Sequence, residues 1–395
     1  MFLNKRIKID LRRLKPLKIL LILFMTTALM PDIISIAGHS LKVMYWIFII
    51  LALYVVSKKK VQTPPQVITI FFMYITTLSL MMILIWGIDR LLINYCFGFV
   101  VIVLIMTLGN KFSEDEWLVM LQKVWMLLIV GVCLNNIFQS YRFVEYVRYR
   151  LDHPYITTVV TGGVNIEATW VAILTLSFFK YKKKWIPLII SVLLSLVYAS
   201  RVGIIANAII TFVFTYGRLP HETKKAVAIR RIFCTVLGIT GIIIVILKST
   251  SSGMALSVLA RFKEIGHDPG SLGRFAMWMY VPAVIAKYPL GVGLGNVISA
   301  LETVSPLIYA EDNIHNIFLQ MFCEIGVLGG IMYLSIWIIF FLQGFRKLIS
   351  SPILNMLAIY ALLCLFQFRG GETIFFCLLG IYLILSKNKQ RGAVD

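Results

Sequence analysis

His315-Asn316 stands at the mouth of an apolar run that continues through Glu324, Gly326 and Gly329 into residues 331–342. Histidine exchanges protons near neutral pH, so one at a water-accessible helix mouth can assist attack by a sugar hydroxyl. The plainer reading of the same residue is a side chain that caps the helix or holds a hydrogen bond there. Three arginines, Arg201, Arg274 and Arg369, say more as a set than singly. A guanidinium fork matches phosphate oxygens two at a time and keeps its charge when partly desolvated, which makes a pyrophosphate their natural common partner. Arg201 ends one apolar run and begins the next. It is therefore either turned into a bundle cavity towards an anion, or it snorkels at a helix end.

Arg274 lies within the segment 270–278, ahead of an amphipathic stretch and a turn at 288–296 that carries Gly291, Gly293 and Gly295. Alternate glycines allow a tight turn or close approach to a ligand. No strand precedes them and their spacing is wrong for a dinucleotide fingerprint, so an ordinary loop is favoured over a phosphate cradle. Arg142, Arg148 and Arg150 read as lipid headgroup contacts, and Glu311-Asp312 as carboxylates that tune His315 or bind sugar hydroxyls. No metal site or cofactor is expected. The histidines (His39, His153, His221, His267, His315) are dispersed, the Glu114-Asp115-Glu116 cluster falls on the expected inner side, and neither an Asp-x-Asp pair nor a Walker loop occurs. If the chain is a transferase, arginines must meet the charge on its leaving group.

The elements that position these residues follow from composition. The chain has 395 residues, is 59% hydrophobic and 14% charged, and has a mean hydropathy of +0.88. That excludes an ordinary soluble domain and implies a polytopic membrane protein, all-α, forming one membrane domain over 1–395. Spans are expected at 19–37, 41–57, 66–86, 91–108, 117–138, 167–179, 185–200, 202–217, 232–248, 317–343, 353–368 and 373–386, about 12 helices with one large loop at 249–316. The net charge of +20 would suggest nucleic acid in a soluble protein. Here an even number of crossings puts Lys58-Lys59-Lys60, Lys180 with Lys182-Lys183-Lys184, Lys224-Lys225, Arg346-Lys347 and Lys387 with Lys389 on one inner side, which is topology rather than ligand. The outer side then holds 139–166, the 249–316 loop with Arg261, Lys263, Arg274 and Lys287, and the turns at Ser200-Arg201 and 369–372. The six cysteines read as small buried hydrophobes. No cleavable signal peptide is expected, and no internal repeat stands out.

Together these residues resemble the O-antigen ligase and polymerase superfamily of bacterial inner membranes. His315-Asn316, nine residues, then Gly326-Val327-Leu328-Gly329 is similar to that family's histidine motif. The segments 274–278 and 289–295 resemble its second block, and Ser200-Arg201 its first. The resemblance implies a metal-independent, inverting glycosyltransferase of the inner membrane that takes a glycan from undecaprenyl pyrophosphate at the periplasmic face. It implies that Arg201 and Arg274 hold the pyrophosphate and that His315 activates or orients the acceptor hydroxyl, with Arg369 and Asn316 as further substrate contacts. The spacing from His315-Asn316 to Gly326 and Gly329 resembles the ligase, whose acceptor is the lipid A core oligosaccharide. The alternatives are a polymerase joining lipid-linked repeat units and, from another class, a transporter of lipid-linked sugars. No inverted repeat supports the transporter, and a purely structural scaffold leaves the arginines unexplained. Membrane lipids are the remaining expected partners, with no nucleic acid.

Overall fold

A computed structural model describes residues 16–30, 34–36, 39–41, 43–57, 61–149, 156–217, 269–307, 313–345, 351–367 and 370–391, with Tyr309 and a few positions between 223 and 232. The described chain is a helical bundle with one short antiparallel hairpin, Ile34–Ile36 against His39–Leu41, which leaves the all-α class intact. The helices, in order, are α1 (Pro16–Thr27), α2 (Val43–Ser57), α3 (Gln66–Trp86), α4 (Arg90–Gly109), α5 (Glu114–Phe138), α6 (Ser140–Tyr149), α7 (Val164–Thr175), α8 (Trp185–Val197), α9 (Arg201–Tyr216), α10 (Pro269–Lys287), α11 (Val297–Glu302), α12 (Ile317–Glu324), α13 (Gly326–Phe345), α14 (Pro352–Leu363) and α15 (Thr373–Arg391). A helix lies within every expected span except 232–248, of which 233–248 are outside the described residues; in the span expected at 19–37 the helix ends at Thr27 and 34–36 form a strand instead.

Among the described residues, α3, α4 and α5 are long and apolar enough to cross a bilayer, and seven further apolar helices are shorter. At 1.5 Å per residue, α4 reaches about 30 Å, one hydrocarbon thickness. Its start is fixed by Asp89, whose side chain accepts from the Leu91 amide at 2.6 Å. α5 begins with a capping box between Ser113 and Glu116. Small residues allow close packing between α4 and α15. A side chain at Gly98 would overlap the Phe376 ring, and one at Gly380 would press on Ile105.

Two expectations are corrected here. The span expected as one helix over 317–343 is two, α12 and α13, because the chain breaks at Ile325-Gly326, where Gly326 has φ +72°. The 249–316 loop is partly helical, since α10 and α11 lie within it. Its residues 249–268, 308 and 310–312, with Arg261, Lys263 and Glu311-Asp312, lie outside the described residues.

The ends of the helices sort into two groups. At one end Lys18 pairs with Glu116 at 2.6 Å, Lys180 with Asp115 at 2.8 Å and Lys389 with Glu114 at 3.3 Å, while Lys387 donates to Gln62 at 2.9 Å. Of these, Lys180, Lys387 and Lys389 belong to the segments that the charge pattern assigns to the inner side, and Lys18 joins them at the same end. The acidic cluster at 114–116 thus serves as their counter-charge and as the favourable anionic first turn of α5. At the other end the Thr161 amide donates to the Leu29 carbonyl at 3.0 Å, and Asn135 and Gln139 bind the Thr157 backbone. α4 links the two groups, with Arg90 at one end and Thr107, which accepts from the Gln62 amide, near the other.

Candidate active site

The second group of helix ends encloses a cavity of about 470 Å³. Its polar wall includes Asp89, Arg90, Asn94, Asn313, His315, Gln320, Gln367 and Glu372, and Trp170 and Ile374 add apolar surface. Each lining segment is an end or a turn that the charge pattern places outside. Five helices, α2, α4, α7, α12 and α15, begin at this wall, so their positive dipole ends converge on it.

His315 sits in the turn that precedes α12, with φ +55°. Its amide donates to the Asn313 side-chain oxygen at 2.9 Å. The next residue, Asn316, is the helix N-cap, its side-chain oxygen accepting from the Leu319 amide at 3.1 Å. The Ile317 amide then donates to the Cys364 carbonyl at 3.0 Å, which anchors the turn to the end of α14. Capping therefore falls to Asn316, leaving His315 in the cavity wall. Asn316→Ala is expected to cost about 1 kcal/mol through the lost cap. Asn316→Ser, which can cap, should keep the melting temperature in detergent close to wild type.

The left-handed region is uncommon and costly for residues other than glycine. Among the described residues two such residues adopt it, His315 and Ala199 at φ +43°. Ala199 directly precedes Ser200, whose hydroxyl caps α9 by accepting from the Gly203 amide at 3.1 Å, and Arg201 is the first residue of that helix. The turn is held from below by Glu167, which is fully buried. Its carboxylate accepts from the Tyr198 hydroxyl at 2.7 Å and from the amides of Val159 and Val160 at 2.6 and 2.9 Å. Glu167 thereby ties the end of α8 to the 160–162 stretch of the cavity wall. Glu167→Ala strands three donors, two of them buried, and is expected to cost about 2 kcal/mol, read as a lower melting temperature in detergent.

Arg274 lies on α10 one turn before Trp278, so the two share a helix face. The Trp278 indole donates to the Ile314 carbonyl at 2.7 Å, next to His315. The glycine turn packs against the α12–α13 break. The amides of Val292 and Gly293 donate to the carbonyls of Cys323 and Glu324 at 3.2 and 2.8 Å, and Val327 donates to Pro289 at 3.0 Å. These glycines serve close backbone packing, as the ordinary-loop reading expects.

A column of rings supports the cavity from within the bundle. Trp170 stacks on Tyr360, Tyr360 on Phe375 and Phe375 on Trp337, with centroids 5.5, 4.6 and 5.8 Å apart. The Tyr360 hydroxyl donates to Glu372, which fixes that carboxylate at the wall.

Of the residues singled out in the sequence, His315 lines the cavity, Asn316 caps beside it, and Arg201 and Arg274 are half-buried at the starts of α9 and α10. Among the described residues, the lining includes neither Arg201 nor Arg274. Arg369 lies outside the described residues. Among the described residues, the guanidinium in the cavity lining is that of Arg90, which the sequence reading passed over. The signal was there, because Arg90, like Arg201, stands between two apolar runs at an outer turn.

No curated protein matches the chain significantly. Residues 168–334 match the O-antigen ligase family model. The matched segment, less than half of the chain, contains Arg201, Arg274, the glycine turn and His315-Asn316, and the match supports the O-antigen ligase superfamily.

Proposed function

We propose that the protein is an O-antigen ligase. It transfers a glycan from undecaprenyl pyrophosphate to a sugar of the lipid A core, at the periplasmic face of the bacterial inner membrane and without a metal ion. What supports this reading is the position of His315 in a cavity at the end of the bundle opposite the paired lysines, with α4 running between the two ends. The description of the matched family, O-antigen ligase, supports the same acceptor class.

In this mechanism a core hydroxyl attacks the anomeric carbon of the donor. The new carbon–oxygen bond forms as the bond to the diphosphate oxygen breaks, which inverts the centre. The hydroxyl proton passes to the His315 imidazole, and undecaprenyl pyrophosphate leaves with the electron pair. Guanidinium groups meet the charge that develops on it. Arg274 acts from the face of α10 that reaches Ile314 and Arg201 from the capped start of α9, with Arg369 as a further contact. Asn316 fixes the turn that aims the imidazole.

Lipopolysaccharide from a deletion strain tests the ligase assignment. Loss of a ligase leaves full-length polymer on its carrier lipid and bare core on lipid A. A single repeat attached to the core would instead identify a polymerase.

A further inference from the structure

The cavity that holds His315 is walled by a guanidinium that no motif marks. We propose that Arg90 is a diphosphate-binding residue of this cavity, gripping the phosphates of the lipid-linked donor. The inference rests on the reading of the cavity as the donor site.

Arg90 is the first residue of α4, and its backbone is fixed by the Asp89 cap. A side chain at Gly295 would collide with the Asp89 carboxylate, so the glycine turn and this cap are fitted to one another. Asn94, one turn further along α4, faces the same cavity and adds a neutral donor. Arg90 itself is exposed, at the mouth. Of the two carboxylates in the wall, Asp89 accepts from the Leu91 amide and Glu372 from the Tyr360 hydroxyl. The helix starts that converge here give the wall a positive potential, which favours an anion. A planar guanidinium at the end of such a field suits two adjacent phosphate groups better than an alcohol or a neutral sugar.

The test uses the purified full-length protein and farnesyl diphosphate as a short-chain probe. Each arginine is read by phenylglyoxal modification followed by mass spectrometry, with farnesol as the uncharged control. Farnesyl diphosphate, and not farnesol, is expected to protect Arg90. Protection of Arg201 or Arg274 without Arg90 overturns this proposal and leaves the donor reading standing, whereas protection of none of the three overturns both. In a second arm, Arg90→Ala is expected to weaken binding of radiolabelled farnesyl diphosphate by about ten- to a hundredfold, the range for losing a charge-assisted hydrogen bond. Arg90→Lys, a point charge without the fork, should fall between it and wild type. Unchanged affinity in a folded Arg90→Ala protein contradicts the assignment, and the protection assay needs no variant at all.

Discussion

Replacing His315 with alanine is expected to lower glycan transfer by about two to four orders of magnitude, the usual contribution of a positioned general base. The protein should still insert and fold. His315 is only part-buried, and the backbone of its turn is held by Asn313, the Asn316 cap and the bond from Ile317 to Cys364. Its left-handed backbone should even be easier to satisfy with His315→Asn, since asparagine tolerates that region better than most residues. Loss of transfer in His315→Asn at normal membrane levels would therefore report the lost imidazole rather than a disturbed turn. The readout is lipopolysaccharide banding beside an immunoblot of the membrane fraction.

The second large effect is structural. Gly291 has φ +89°, and a side chain there would come within 2.5 Å of the Glu324 carbonyl oxygen and closer still to the Gly326 amide. Both are backbone atoms, so no flexible group can yield. Gly291→Ala combines the left-handed penalty of about 1–2 kcal/mol with displacement of the α12–α13 break. A total cost of about 3 kcal/mol or more is expected. Because α12 carries the His315 turn at its start, the same displacement should lower transfer. Gly273→Ala is the contrast, since nothing stands within 4 Å of a side chain there. Within α10 that change should be neutral or stabilising by up to about 1 kcal/mol. Melting temperatures of the two variants in one detergent make the comparison.

The fold was legible where one local signal sufficed. α3 coincides with its expected span, and α4 lies within a residue of it at each end. Their apolar runs stop at residues that cannot continue them, Pro65 and Gly87 for α3 and the capping Asp89 for α4. The gathering of the lysines at one end of the bundle was legible for the same reason, because counting basic loops needs no tertiary contact. What escaped was non-local. Hydropathy carried one span straight through Ile325-Gly326. The break is set by backbone bonds from the distant glycine turn, which no window of sequence contains.

The site divides along the same line. His315 stood out because a histidine at the mouth of an apolar run is rare enough to notice. Arg90 met the criterion applied to Arg201, but nothing in the sequence says that the start of α4 and the His315 turn face one cavity. Glu167 was invisible for a related reason. Inside the expected span 167–179 nothing sets it apart, and its role emerges only once the Val159 and Val160 amides fold back over it.

The most direct measurement is transfer by the purified protein in liposomes supplied with an undecaprenyl-pyrophosphate-linked glycan and lipid A core. The account predicts a covalent glycan–core product with release of undecaprenyl pyrophosphate, and both slowed by about two to four orders of magnitude in His315→Ala protein reconstituted to the same level. Product formed at the wild-type rate by the His315→Ala protein would contradict it.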